Sequence, residues 1–323
     1  MSKLFKADAV FKPFKYPKAY EYWEKQHNAH WSPFEVSMER DIQDWKHNLT
    51  EAEKQIIGQT VKTFVQTEIF VADYWTQVVA KYFGPTEIKM MAALFGGVES
   101  THATGYDYLQ SSIGLDDYEA FLADDSVKNK FDMLADLKGK SRKDLARSLA
   151  IFSGFAEGVL LFSSFAILMT PSKYGKLEGV AQIVAWSFLD ERLHAEAGCW
   201  LFRTMVEEDP NLLTDELKTE IVEAARLAVQ LEDASIEAAF KHGEMRGITE
   251  YNLKQFIRMR ANSQLNELGL SSNWKSVDVK AASKVAAIFE EAAGVEFRDF
   301  FSGRVTAYSK SNMTTESVYG ETK

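Results

Sequence analysis

The chain has 323 residues, of which 46% are hydrophobic and 26% are charged, so it can bury a large core. Its net charge of −10 at pH 7 argues against a nucleic-acid-binding protein, because phosphate contacts need a basic surface. The single cysteine, Cys199, excludes an internal disulfide framework and indicates a reducing compartment.

No targeting or membrane segment is evident in the sequence. The first residues, MSKLFKADAVFKPFKY, lack the apolar core of a signal peptide. The longest apolar run, GVLLFSSFAILM, is shorter than the roughly 20 residues that a membrane span needs. We therefore predict a cytoplasmic protein.

Helical patterns dominate the sequence, and strand patterns are almost absent. Thr50 and Glu53 predict a capping box that opens a helix over 50–83, which Gly84 and Pro85 end. Three more long helices are predicted over 86–114, 141–170 and 177–208, and shorter ones over 215–242, 249–268 and 278–296. Helices of about 30 residues with short connections favour an antiparallel bundle, so the predicted fold class is all-α.

The end of the chain differs from the rest in composition. Its residues are polar and show no hydrophobic periodicity, which is typical of a flexible segment. We predict one helical domain over 1–305 and a flexible C-terminal tail over 306–323.

Each of the four long helices carries an acidic residue in apolar surroundings, and two of them add a histidine three positions later. The order along the chain is Glu68, Glu99-x-x-His102, Glu157 and Glu191-x-x-His194. Residues three apart share a helix face, so each pair can present a carboxylate and an imidazole to one point. This is a known arrangement of di-iron and dimanganese sites in helical bundles.

The charges and ligand types agree with a metal site. Four buried carboxylates would be costly unless paired, and two divalent ions would balance them. Oxygen and imidazole ligands without thiolate suit iron or manganese better than a structural zinc.

A chance origin of the motif has to be considered. Roughly half a Glu-x-x-His match is expected by chance in this composition, and three occur. The third, Glu24-x-x-His27, lies in a polar segment without a partner repeat, and we interpret it as the chance match. The alternative for the other two is that they are capped or ion-paired groups of the core.

On these residues the chain resembles the small, radical-generating subunit of class I ribonucleotide reductase, and the resemblance runs from Trp31 to Tyr308. It rests also on Tyr106 after the first pair, on Asp190 before Glu191, and on the stretches HWSPFEV and DFFSGRVTAYSK. It implies a ferritin-like helical bundle with a four-helix dimetal core and extra helices.

The resemblance implies two metal ions per chain. Glu68, Glu99 and His102 would bind one ion, and Glu157, Glu191 and His194 would bind the other, with some carboxylates bridging. Family members use two irons, a manganese and an iron, or two manganese ions. Glu68 stands where many members have aspartate, which leaves the native metals open.

The resemblance also implies a radical site. Tyr106 matches the tyrosine that becomes a radical in many members, and its helical spacing places it on the ligand face. Leu161 and Phe165 match the apolar pocket around that tyrosine. The alternatives are a core tyrosine with a satisfied hydroxyl and two ordinary core residues.

A radical-transfer path is implied by three further residues. Trp31 matches the family's tryptophan near the metals, and Asp190 matches the aspartate that links it to a ligating histidine, here His102. Tyr308 matches the tyrosine that passes the radical to the large subunit. Tyr319 would serve only in docking the tail.

The implied function is to make a one-electron oxidant with dioxygen or superoxide, hold it on Tyr106 or on the metals, and deliver it to a cysteine of a large subunit. That subunit reduces ribonucleotides for deoxyribonucleotide synthesis, and this chain has no Walker-type phosphate loop. A homodimer is also implied, and whether an activating flavoprotein takes part stays open. The alternatives are a ligand-binding dimetal oxidase or hydroxylase and a ferritin-type iron-storage protein.

Three glycines flank the ligands of the second helix, at positions 96, 97 and 105. Glycine costs helix stability, so these positions predict either local unwinding or close contact with a neighbouring helix.

Overall fold

The computed structural model describes residues 3–61, 64–115, 129–130, 132–133, 137, 139, 141–241 and 243–293. Over these ranges the regular structure is helical, apart from an isolated bridge between Met245 and Ile248, which confirms the all-α prediction. The helices are α1 (Pro17–Asn28), α2 (Glu39–Gln43), α3 (Glu51–Val61), α4 (Phe64–Asp73), α5 (Ala80–Tyr82), α6 (Thr86–Ile113), α7 (Arg142–Ile151), α8 (Phe162–Met169), α9 (Glu178–Glu208), α10 (Asp215–Phe240), α11 (Glu250–Glu267) and α12 (Val279–Ala293).

The predicted capping box is present at the start of the first long helix. The Thr50 N–H donates to Glu53 Oε2 over 2.8 Å, and the Glu53 N–H donates to Thr50 Oγ1 over 3.2 Å. Helix α3 is described to Val61, and from Phe64 the segment runs as α4, a π-helical turn at Tyr74–Val79, and α5. The capping residues and the bounds of this helix therefore follow from the sequence, whereas its π-helical turn does not.

The second long helix, α6, is unbroken over 28 residues. The glycines therefore do not unwind it, and the structure favours the other expectation, close contact. A Cβ atom at Gly96 would lie 2.6 Å from Thr76 Cγ2 and 3.2 Å from the Ala72 carbonyl oxygen. Gly96 thus lets α6 approach α4 and the π-helical turn at the level of the predicted ligands.

The prediction of one continuous helix over 141–170 is wrong. Ser141 caps α7 as a helix start should, but α7 ends at Ile151 and a π-helical turn follows at Phe152–Ala156. Residues 157–161 are not helical, and Leu161 has a φ of 80° before α8 begins. The apolar run gave no sign of this break, because its residues are buried on all sides and carry no readable period.

The long helical segments pack against one another. Helix α4 packs on α6, and α9 packs on α7, the π-helical turn that follows it, and α8. Helix α1 covers α6 and α9 on one side, while α10 and α11 pack along the interrupted segment on the other. No helix within the described ranges is both long and apolar enough to cross a membrane.

The end of the chain is described only to residue 293. The last predicted helix is present as α12, which packs on α11. The predicted tail over 306–323, with Tyr308 and Tyr319, lies outside the described residues, so the division into a domain and a tail stays a prediction.

The close approach at Gly96 gives a stability prediction. Alanine there would gain about 1 kcal/mol of helix propensity, but overpacking costs about 1–3 kcal/mol. We expect Gly96→Ala to lower the free energy of unfolding by roughly 1 kcal/mol in urea titrations of the metal-free chain. Adding Thr76→Ser removes the obstructing Cγ2 and keeps the hydroxyl bond to Ala72, so the pair should regain the loss. An undiminished stability of the single variant would contradict the close contact.

Candidate metal centre

The six predicted ligand side chains meet at the centre of the bundle. Their donor atoms form two groups, within each of which the atoms lie within 4.8 Å of one another. The groups are Glu68, Glu99, His102 and Glu191, and then Glu99, Glu157, Glu191 and His194. Glu99 and Glu191 belong to both groups, so each of these carboxylates lies within reach of both candidate cation positions.

The local structure explains how each ligand is presented. The two Glu-x-x-His pairs lie on α6 and α9, the unbroken long helices, where a spacing of three residues keeps both side chains on one face. Glu68 lies on α4, and Glu157 directly follows the π-helical turn at Phe152–Ala156. All six side chains are at most 3% exposed, so the cluster is closed to solvent.

The two imidazoles turn the same nitrogen inward. Nδ1 of His102 lies 2.9 Å from oxygens of both Glu99 and Glu191, and Nδ1 of His194 lies 2.7 Å from Glu99 Oε1. Nε2 of each imidazole instead faces a side chain outside the cluster, Asp190 for His102 and Gln26 for His194, each at 3.1 Å. A ligating histidine is normally held in this way by its outer nitrogen.

The donors and acceptors of the cluster fit cations. A neutral imidazole whose Nε2 donates its proton outward has a lone pair at Nδ1, the nitrogen that faces the carboxylates, and can bind a cation there. Glu68 is fully buried, and a second carboxyl group, that of Glu99, lies against it. Such a set is stable only with protons or metal ions between its members, and its oxygen and nitrogen ligands suit iron or manganese.

The pKa values show that protons occupy the cluster in the absence of metal ions. Burial, together with neighbouring carboxylates, raises the pKa of Glu68 and Glu157 well above the usual glutamate value and that of Glu191 to about 8. Burial acts in the same direction on Glu99, but the two imidazoles outweigh it and lower the pKa of this carboxyl to about 2. Glu99 is therefore the permanently charged member of the cluster.

A hydrogen-bond network surrounds the cluster and contains two of the predicted residues. Nε1 of Trp31 donates to Asp190 Oδ2 over 2.8 Å, and the same oxygen lies 3.1 Å from His102 Nε2. The Trp31 ring also stacks on the His102 ring with 5.9 Å between centroids. The aspartate thus joins the tryptophan to the cluster, as the resemblance implied.

Gln26 completes this network and was missed from the sequence. Its amide nitrogen donates to Asp190 Oδ1 over 2.9 Å, and its amide oxygen faces His194 Nε2. It lies inside the polar stretch that carries Glu24-x-x-His27, and His27 itself is exposed and stacks on Trp23. Its burial at 2% exposure could not be read from a stretch of this composition.

Trp75 is a second missed residue. Its Nε1 donates to Glu157 Oε1 over 2.6 Å, so this indole fixes the carboxylate that follows the π-helical turn. A signal for Trp75 was available, because it lies seven residues after Glu68, on the same face of a helix.

Tyr106 lies in a dry aromatic pocket beside the cluster. The side chain is fully buried, with its hydroxyl near Ser187. Its ring centroid is 4.5 Å from that of Phe64, which stacks on Phe165, and 6.4 Å from that of His102. Burial and the charge of Glu68 raise the pKa of the phenol well above its usual value.

The Trp31 indole lies against α6 at a glycine, Gly105. A Cβ atom at Gly105 would lie 3.5 Å from Cη2 of Trp31 and 3.1 Å from Ile183 Cγ2. On its other side Trp31 contacts the half-buried ring of Trp186 at 5.3 Å between centroids. A side chain at position 105 would therefore contact the indole, on the same helix that carries His102 and Tyr106, and would crowd Ile183 more closely.

Known proteins are similar to this chain over most of its length. The family model for the ribonucleotide reductase small chain matches residues 8–280. The probable ribonucleoside-diphosphate reductase small subunit 048L of Invertebrate iridescent virus 3 is 32% identical, over 97% of this chain and 87% of that protein. The ribonucleoside-diphosphate reductase subunit beta of Chlamydia pneumoniae is 26% identical, over 92% of this chain and 88% of that protein.

Solved structures share the fold. The dimanganese(II)-NrdF of Streptococcus sanguinis superposes with a TM-score of 0.76 at 18% identity, over 88% of this chain and 100% of that chain. The ribonucleotide reductase R2 subunit from Clostridium botulinum gives a TM-score of 0.75 at 18% identity, over 85% and 89%.

The proton-holding carboxylates predict a pH-dependent effect of metal ions. Their raised pKa values mean that the folded metal-free chain binds protons that the unfolded chain releases, so its stability falls as pH rises from the usual glutamate pKa through about 8. Bound cations displace those protons. The gap in unfolding temperature between Mn(II)-loaded and metal-free chain should therefore widen between about pH 5.5 and about pH 8.

Titrating groups elsewhere contribute equally to both forms, so they cancel in this difference. Glu99, with its lowered pKa, gains its charge below this pH window and does not alter the sign. A gap that stays constant across the window would show that the ions displace no protons from these carboxylates.

Proposed function

This chain belongs to the ribonucleotide reductase small-chain family, and we propose that it generates and stores the one-electron oxidant of a class I ribonucleotide reductase. The observation that carries the proposal is the duplicated, buried Glu and His cluster with Tyr106 on one side and the Trp31 network on the other. The oxidant serves an oxidoreductase in which a separate large subunit reduces ribonucleotides to deoxyribonucleotides.

We assign the six side chains as ligands of two ions of iron, manganese or both. Glu68, Glu99 and His102 hold one ion, and Glu157, Glu191 and His194 hold the other. The membership of Glu99 and Glu191 in both groups supports bridging roles for these two carboxylates. When bound, the ions supply the redox chemistry that, with dioxygen or superoxide, removes one electron from the protein.

Tyr106 is the residue that we propose to be oxidised. Because burial holds the pKa of its phenol well above the usual value, the phenolate is not formed, and an electron and a proton have to leave together. Glu68 lies close enough to raise that pKa by its charge. Phe64 and Phe165 exclude water from the phenol oxygen.

Transfer to the large subunit uses the network of Trp31, Asp190 and His102. Asp190 accepts the indole proton and the outer imidazole proton on one oxygen, which keeps the two rings stacked. Beyond Trp31 we propose that the path continues through Tyr308 in the C-terminal segment, where Tyr319 assists docking. We also propose a homodimer, activation by a flavoprotein if superoxide is the oxidant, and a cytoplasmic location that suits the one buried cysteine, Cys199.

The closed cluster separates this proposal from its rivals. A ligand-binding oxidase needs an open substrate pocket beside the metals, whereas the six ligand side chains are at most 3% exposed. An iron-storage protein has no use for a tryptophan bonded to the aspartate of a ligating histidine.

Replacement of Tyr106 tests the location of the oxidant. Tyr106→Phe removes only the hydroxyl and keeps the ring packed on Phe64, so metal content should stay close to wild type and stability should fall by no more than about 1 kcal/mol. We expect the tyrosyl signal in electron paramagnetic resonance to disappear, together with ribonucleotide reduction. Full turnover by this variant would place the oxidant on the metals instead.

Truncation tests the delivery path separately. A chain lacking residues 304–323 should load metal and form the Tyr106 signal as the full chain does, because all six cluster residues lie between Glu68 and His194, far from the truncation. With the large subunit present, its ribonucleotide reduction should be lost. Turnover that survives this truncation would contradict the proposed use of Tyr308 and would favour an oxidase that acts alone.

A further inference from the structure

The break after α7 replaces the hydrogen bonds of a regular helix with a different pattern of backbone pairing. The Glu157 and Leu160 N–H groups donate to carbonyls five residues back, at 3.0 and 2.9 Å, as a π-helical turn requires. Leu161, with its φ of 80°, adopts a conformation that side chains other than glycine rarely take. Such a conformation persists only when the surrounding structure enforces it.

Helix α10 supplies one enforcing group, Glu232, which is fully buried. Its carboxylate accepts the Leu161 N–H at 3.3 Å, the Ser163 N–H at 3.2 Å and the Ser163 hydroxyl at 2.5 Å. Lys130 Nζ lies 2.7 Å away and balances the charge. Glu232 therefore caps α8 from a different helix, in place of the side-chain cap that Leu161 cannot provide.

Helix α11 holds the other end of the break. Arg260 Nε donates to the Gly158 carbonyl oxygen over 2.9 Å, and the Arg260 guanidinium lies over the Phe162 ring at 4.1 Å. Gln264 packs so closely that a Cβ atom at Gly158 would lie 2.6 Å from its Cδ. Helices α10 and α11 therefore both bind the break, and neither of them carries any of the six predicted ligands.

We propose that Glu232 and Arg260 are positioning residues for Glu157, and that they hold the helix broken at 157–161 so that this carboxylate faces the metal cluster. Each residue of a regular helix turns its side chain by about 100°. The extra residue of the π-helical turn therefore changes the direction in which Glu157 and the side chains after it point, relative to those of α7. The inference rests on the proposed role of Glu157 as a metal ligand, and it adds residues outside the cluster that set the geometry of the second ion.

Glu232→Gln tests whether Glu232 holds the break at 157–161. The amide keeps the size of the side chain but loses the charge that binds three donors and Lys130. Glu237→Gln is the matched control, since Glu237 lies on the same helix but pairs with Lys254 at the surface. Hydrogen exchange of the Leu161 and Ser163 amides in the metal-free chain should become at least ten-fold faster in Glu232→Gln and stay unchanged in Glu237→Gln.

Mn(II) titration gives the second measurement, with free Mn(II) counted by electron paramagnetic resonance. In Glu232→Gln the affinity for the second ion should fall about ten-fold, while the first ion, held by Glu68, Glu99 and His102, should bind as in wild type. A general loss of folding would weaken both ions, so the difference between them is specific to positioning. Should Glu232→Gln fail to fold, Ser163→Ala removes one donor and should give smaller changes in the same two readouts.

Unchanged amide exchange in these variants would overturn the proposed positioning role of Glu232. Faster exchange with both ions bound normally would overturn it as well. The proposed function has its own readout in the same experiment, because it requires the wild-type chain to bind two Mn(II) ions. A wild-type chain that bound none would contradict the metal centre itself, whatever the amides of the variants showed.

Discussion

Four glutamate carboxylates converge in a core that is closed to solvent, and their mutual repulsion is the constraint that the rest of the molecule accommodates. Two imidazoles turn Nδ1 toward them and lower the pKa of Glu99, while Glu68, Glu157 and Glu191 hold protons when metal ions are absent. An apolar core could not tolerate this group of charges unless its partners were fixed in direction. The outer network of Asp190, Gln26 and Trp31 fixes those directions by anchoring each imidazole from behind.

The same constraint explains why the four ligand helices differ in regularity. A Glu-x-x-His pair needs a regular helix, since only the spacing of three residues brings its two side chains to one point. Helices α6 and α9, which carry the pairs, are accordingly unbroken. The two lone glutamates have no such requirement, and a π-helical turn interrupts the helical segment of each, at Tyr74–Val79 and Phe152–Ala156. A hydrogen bond from Trp75 in the first turn to Glu157, directly after the second, connects the two irregular segments.

Features that depend on neighbours in the chain could be predicted from the sequence, and features that depend on distant neighbours could not. The capping box, the helix class and the Glu-x-x-His faces all follow from spacings of three or four residues. Glu232 could not be singled out, because it stands in α10 among other charged residues, such as Glu223 and Glu237, that remain largely exposed. Its burial is decided by α8, about seventy residues earlier in the chain. Gln26 escaped notice for the same reason, since its two partners lie on α9.

The absence of a side chain at position 105 has a consequence beyond packing. The indole of Trp31 rests against the backbone of α6, and a single methyl group would already touch its ring. In the function proposed above this indole carries an oxidising equivalent, so position 105 is where a side chain on α6 would meet the carrier directly. Position 105 lies next to Tyr106 in the chain, and one short stretch of α6 therefore holds both the proposed storage site and the surface on which the proposed carrier rests.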